Sequence, residues 1–231
     1  MNNIKSVKTL LLIAVITVAV SCSGGGGGDD GSTTELKRET DTAVRLIHAA
    51  VDAAPLEIYG GLIQVTKGRY AQETFFGRVE DENVTELVVA RANTAATDIV
   101  RRIPVNLAED TEYTLFVYGK VGDDAFRYNF IIDNIERPDN GACIVRLFNG
   151  LPDSGDLTLG SKDFAQPGVR YGVVSSFRHS ACGPQIFTIT SPTGTLARVS
   201  IDLPEESEAT IVLSGDKDLG YVKAVTYLDL D

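Results

Sequence analysis

The chain has 231 residues, 32 acids against 21 bases, a formal charge of −11, 43% apolar residues and no tryptophan. An acidic body is repelled by nucleic acid and by anionic lipid head groups, so a nucleic-acid partner is excluded. The apolar fraction is that of an ordinary globular protein and excludes a wholly disordered one.

The first element is an address. Lys5 and Lys8 make a basic start, and residues 10–20 are apolar except for Thr17. A bilayer-spanning helix needs about 20 apolar residues, and this run is shorter. A basic start, a short apolar run and small residues after it predict a secretory signal over residues 1–21. Its end, Ala19-Val20-Ser21-Cys22, resembles a bacterial lipobox. That resemblance implies that Cys22 is acylated and becomes the mature N-terminus, since several acyl chains hold a protein stably where one does not. Ser23 follows, where an aspartate would favour retention at the inner membrane; an outer-membrane position is the expectation.

Residues 22–41 predict a tether. Five glycines, Asp29, Asp30 and a Ser/Thr run can neither fill a core nor hold a helix. A flexible coil of that length spans about 25 Å end to end. The glycines are no phosphate cradle, because no strand precedes them and no Lys-Ser/Thr follows. Lys5 and Lys8 are the only charges in residues 1–21, so removing +2 from −11 leaves −13 on the rest.

The remainder reads as a duplication. Val44-Arg45-Leu46 lies over Val145-Arg146-Leu147, with Asp52 over Asp153 and Leu56 over Leu157, without a gap. Residues 105–119 lie over 201–215, with Leu107 over Leu203, Glu112 over Glu208 and Gly119 over Gly215. Between these, Phe76-Gly77-Arg78-Val79 is aligned with Tyr171-Gly172-Val173-Val174. The expected domains are residues 42–137 and 143–231, joined by a Pro/Asn-Gly linker at 138–142.

Each copy reads as strands. Val44, Leu46 and His48 share one face of a strand, with Arg45 and Ile47 on the other; Tyr113, Leu115 and Val117 oppose Thr114, Phe116 and Tyr118. Period-two patterning with β-branched and aromatic enrichment predicts strands, and turn clusters at short intervals predict an all-β chain of two tandem antiparallel sandwiches of immunoglobulin-like type. Leu107–Tyr113 resembles the tyrosine corner of such domains, with Ala209 at the tyrosine's place in the second copy. If Cys22 is acylated, Cys143 and Cys182 remain as an even pair in an oxidising compartment, and a disulfide between them is expected.

Residues 44–59, VRLIHAAVDAAPLEIY, resemble the opening of DUF4397 domains: a strand, a His-Ala-Ser-Pro-Asp-Ala-Pro-like turn, then a second strand. Ala50-Val51 stands in place of the Ser-Pro, and Asn149-Gly150 in place of His-Ala in the second copy. The resemblance implies an envelope or secreted β-sandwich module and no known activity.

Candidate chemistry is sparse. Only His48 and His179 exist, and no Gly-x-Ser-x-Gly or His-Glu-x-x-His occurs. His48 with Asp52 has the residue types of a base and its orienting acid, but Asn149 and Asp153 hold the same places in the second copy, and asparagine is no base. A turn histidine bonding the backbone is expected. Ser175, Ser176 and Ser180 flank His179, but neighbours on a strand point to opposite faces. Asp153, Asp156, Asp216 and Asp218 lie in expected loops, where calcium takes oxygen ligands, and Phe75, Phe76 and Tyr118 are the aromatics for a glycan platform.

The sequence therefore predicts no catalytic residues, no cofactor and no resident metal. The expected function is a non-enzymatic lipoprotein presenting tandem domains to a protein or cell-surface partner. The alternative is a calcium, small-ligand or glycan binder using the interdomain groove or the acidic loops.

Overall fold

The structure, a computed structural model, describes residues 42–229 except 73, 81–82, 122–124, 134–137 and 139–140. The signal, Cys22 and the tether lie outside the described residues. The described part is all β: sixteen strands in four four-stranded sheets, forming two β-domains. The first half contains β1 Ala43–Ala50, β2 Leu56–Gly60, β3 Ile63–Gly68, β4 Gly77–Arg78, β5 Glu86–Arg91, β6 Ile99–Pro104, β7 Glu112–Gly119 and β8 Arg127–Ile132. The second contains β9 Cys143–Asn149, β10 Leu157–Gly160, β11 Ala165–Val169, β12 Arg178–Ser180, β13 Gly183–Ser191, β14 Gly194–Leu203, β15 Glu208–Asp216 and β16 Tyr221–Asp229.

The two halves have the same strand order. In the first, the sheets run β4-β1-β7-β8 and β3-β2-β5-β6; in the second, β12-β9-β15-β16 and β11-β10-β13-β14. In both, the first strand runs parallel to the seventh: Val44 pairs with Tyr113, and Val145 with Ala209. The other pairings are antiparallel.

The alternating faces follow the sequence. Val44 and Leu46 of β1 and Tyr113, Leu115 and Val117 of β7 pack onto Leu56, Ile58, Leu87, Val89 and Ile103 of the facing sheet. The second core repeats this with Val145, Leu147, Ile211 and Leu213 against Leu157, Leu159, Phe187 and Ile189. Each fully buried Leu, Ile or Phe contributes about 1.5–3 kcal/mol.

The opposite face of β1 and β7 is buried as well. Ile47, Ala49, Phe116 and Tyr118 meet Phe148, Val212 and Tyr227 of the second half in a third apolar cluster. The described residues therefore form a stack of four sheets, with β1/β7 and β9/β15 in the two inner layers. Strands apolar on both faces belong in that position.

Gly119 and Gly215 end β7 and β15 for one reason. Their φ values are +83° and +140°, and a Cβ would lie 2.3 Å from the Ala125 carbonyl oxygen or 2.1 Å from that of Tyr221. Only glycine fits both the dihedral and the close approach.

One alignment made from sequence needs correction. Gly77 pairs with Val44, and the residue paired with the corresponding Val145 is Arg178. Phe76 therefore corresponds to Phe177, and Tyr70 to Tyr171. An aromatic-glycine dipeptide carries too little pattern to fix register, whereas the ladder does.

Candidate functional site

The tyrosine corner forms: the Tyr113 hydroxyl accepts the Ala108 backbone N–H at 2.8 Å. Ala209 replaces the tyrosine in the second half, and Pro204, which has no N–H, stands where Ala108 does. Donor and acceptor are lost together. Cys143 and Cys182 are disulfide-bonded, with Cα atoms 5.4 Å apart. The bond ties the start of β9 to the start of β13, and so one sheet of the second half to the other.

His48 is fully buried, and its Nε2 donates to the Ala54 carbonyl at 3.1 Å, closing the β1–β2 turn. Burial, partly offset by backbone hydrogen bonds and the Asp52 charge, lowers its pKa, so the ring is neutral. Asp52 Oδ1 accepts from the Val121 N–H at 2.8 Å rather than from His48. Asn149 does the same structural work, donating to Ser154 Oγ at 3.0 Å and the Val169 carbonyl at 3.0 Å. The Ser175 hydroxyl accepts from the Leu147 N–H at 2.9 Å, while His179 sits exposed on β12.

The acidic loops are occupied by protein groups. Asp216 Oδ2 lies 2.7 Å from Lys120 Nζ, and its Oδ1 accepts the N–H groups of Asp218 and Leu219. The Lys120 hydrogen bond is the main cause that holds the Asp216 carboxyl below its usual range. The Asp153 carbonyl accepts from Lys217 Nζ at 3.0 Å. Among the described residues no group of three or more His, Cys, Asp or Glu is placed to hold a metal.

The most concentrated chemistry lies in the seam between the two inner sheets, and sequence reasoning passed over it. Arg45 and Arg146 occupy matching places on β1 and β9, with relative exposures of 2% and 3%. Each guanidinium lies over a phenylalanine, 4.5 Å from the Phe76 ring and 4.3 Å from Phe177. Each Nε donates to a threonine, Thr114 at 3.3 Å and Thr210 at 2.9 Å.

Asp133, just past β8, receives both arginines. Its Oδ2 accepts from Arg45 Nη2 and Arg146 Nη2, each at 2.9 Å, and from the Thr114 hydroxyl; Arg146 Nη1 lies 2.7 Å from Oδ1. Asp229, the matching residue past the core of β16, accepts from Arg45 Nη1. The contacts are reciprocal: Arg45 of the first half reaches Asp229 of the second, and Arg146 reaches Asp133. Reciprocity of that kind marks a two-fold, self-complementary interface. Lys120 and Asp216 obey it too, since they are matching positions that meet each other. At the same end Tyr70 meets the Ser214 hydroxyl at 3.0 Å and Tyr171 packs edge-on to Tyr118 at 5.2 Å, again matching positions.

Two further acids, Glu112 and Glu208, begin β7 and β15 beside this cluster. Burial, then the Asp229 and Asp133 charges, push Glu208 up to about 7 against the pull of Arg146 and Arg45. Glu112 is raised for the same reasons in the same place. For Asp133, burial alone would raise the carboxyl. The Arg146 and Thr114 hydrogen bonds and the two guanidinium charges reverse that and hold it below the usual carboxylate range. The seam is a charge-compensated core in which Asp133 and Asp229 take up the guanidinium groups of Arg45 and Arg146.

The signal for the seam was present in the sequence. Arg45, Phe116 and Tyr118 lie on the face opposite the core, and their matches Arg146 and Val212 repeat it. An apolar outer face with an embedded arginine needs a cover.

The family model described as "Domain of unknown function (DUF4397)" matches residues 42–160. The chain belongs to the DUF4397 family. The matched DUF4397 region covers the whole first half and runs on through β9 and β10, so it includes Arg45, Asp133 and Arg146 of the seam. No curated protein matches the chain.

Proposed function

We propose that this DUF4397 chain is a non-enzymatic lipoprotein of the bacterial cell envelope that acts by contact: it presents a pair of tandem immunoglobulin-like sandwiches to a protein or surface partner. Acylated Cys22 fastens it, with the outer membrane as the expected site, and residues 22–41 act as a leash. The lipobox-like Ala19-Val20-Ser21-Cys22 and the glycine run support the anchor. The identical strand order of the two halves supports the tandem reading.

The observation that carries the contact reading is the seam. Its two buried arginines and the aspartates Asp133 and Asp229 join the two halves, which supports reading them as one stiff platform. A stiff platform loses little conformational entropy when a partner docks. Metabolic labelling with a palmitate analogue, with fractionation of wild type and Cys22→Ala, tests the anchor. Label on wild type and release of the variant to the soluble fraction is the expected result; unlabelled wild type overturns it. Crosslinking on intact cells, compared between wild type and Cys22→Ala, tests whether position at the membrane selects the neighbour.

A further inference from the structure

A cleft of about 510 Å³ opens beside β3 in the first half. That volume lies within the range of small-ligand sites. Among the described residues β3 is an edge strand that pairs with β2 alone, and Thr74, Phe75 and Phe76 line the opposite wall. At the base, Glu57 is only 6% exposed, and its Oε2 is fixed by the Tyr59 hydroxyl at 2.8 Å and the Asn93 N–H at 3.3 Å. Thr74, also 6% exposed, lines the cleft with a buried hydroxyl that has no hydrogen-bond partner. Such a group costs free energy until a ligand or water meets it.

The mouth has a different chemistry. Phe75 is 75% exposed there, whereas its neighbour Phe76 is committed to Arg45. Across the cleft, Lys67 of β3 and Arg69 just after it are exposed and form no ion pair among the described residues, on a chain whose net charge is −11. In the second half Gly168 stands where Lys67 does and Arg170 where Arg69 does, and the Gln166 amide of β11 is used internally on the Ser176 carbonyl.

These groups sort by what they recognise. A fixed carboxylate, a free hydroxyl and the amides of Gln64 and Gln72 match a ligand rich in hydroxyl groups. An exposed aromatic face matches the C–H face of a sugar ring. Two cations at the mouth match a carboxylate, while Glu57 at the base disfavours a phosphate seated deeply. We propose that the cleft beside β3 binds an acidic saccharide of about disaccharide size. The proposal stands independently of the lipid anchor.

The test uses the full-length protein and two probes, the N-acetylglucosamine–N-acetylmuramic acid disaccharide and uncharged chitobiose. Isothermal titration and saturation-transfer NMR read binding. The acidic probe should bind saturably and roughly tenfold more tightly than chitobiose, the factor of one charge-assisted hydrogen bond. Lys67→Glu with Arg69→Glu should remove that preference, and Phe75→Ala should weaken both probes severalfold. These side chains are exposed, so the variants should fold, as circular dichroism will verify; the near-isosteric Thr74→Val probes the hydroxyl separately. Absence of saturable binding, equal affinity for the two probes, or binding untouched by the charge reversals and by Phe75→Ala would each overturn the proposal.

Discussion

Asp133→Asn removes one negative charge from the seam while keeping side-chain volume. Asp133 accepts two guanidinium groups and one hydroxyl, and its side chain is 2% exposed. Without its charge, Arg146 has no carboxylate partner left among the described residues and Arg45 keeps Asp229 alone. Breaking a buried pair by removing one member costs about 3–5 kcal/mol, because a charge is left buried and uncompensated. For a folded body of this size that is a fall in Tm of roughly 6–20 °C. The assay is urea unfolding by far-ultraviolet circular dichroism at pH 7, supported by thermal melts. The pH dependence adds a second signature. Asp133 has a depressed folded-state pKa, so its contribution is present above the unfolded value of 3.8 and lost as pH falls through the folded one. The gap between wild type and variant should therefore narrow in acid. A variant within about 1 kcal/mol of wild type at pH 7 would refute the assignment of the seam as a buried, interdependent charge cluster.

Glu208→Gln should do the opposite. The Glu208 carboxyl is raised to about 7, so its favourable contribution is full below the unfolded value of 4.5 and lost as pH rises through 7. The variant should gain about 1–2 kcal/mol over wild type at pH 8, after discounting for partial exposure, and little at pH 4.5; an equal gap at both pH values would contradict this. Replacing Cys143 and Cys182 by alanine opens a loop with a sequence separation of 39 and should cost about 3–4 kcal/mol in a urea titration. Tyr113→Phe should cost about 1 kcal/mol through the lost bond from the Ala108 N–H, and no change would show that water replaces it.

Much of each sandwich was legible residue by residue. Period-two patterning placed Val44 and Leu46 opposite Arg45 and Ile47, and Tyr113 opposite Thr114, as the cores require. The tyrosine corner, the Cys143–Cys182 bond and the backbone role of His48 follow from local chemistry, because each partner lies on the same turn or is fixed by residue type. The strand order was not legible, since periodicity says which face a residue takes and nothing about which strand lies alongside. The parallel pairing of β1 with β7 is a long-range choice of that kind. The seam was missed for a related reason. Asp133 carries no motif, and its worth appears only when two arginines from different halves converge on it. Likewise the cleft beside β3 assembles Glu57, Thr74 and Asn93 from three separate segments.

The central claim is that the seam makes two sandwiches one rigid body. Spin labels at Arg101→Cys on β6 and Ser200→Cys on β14, with Cys22→Ser to remove the third thiol, sit exposed on the two outermost sheets. Pulsed electron paramagnetic resonance between them should give a single narrow distance distribution that broadens when Asp133→Asn is added. A broad or multimodal distribution in the otherwise unaltered protein would contradict the account.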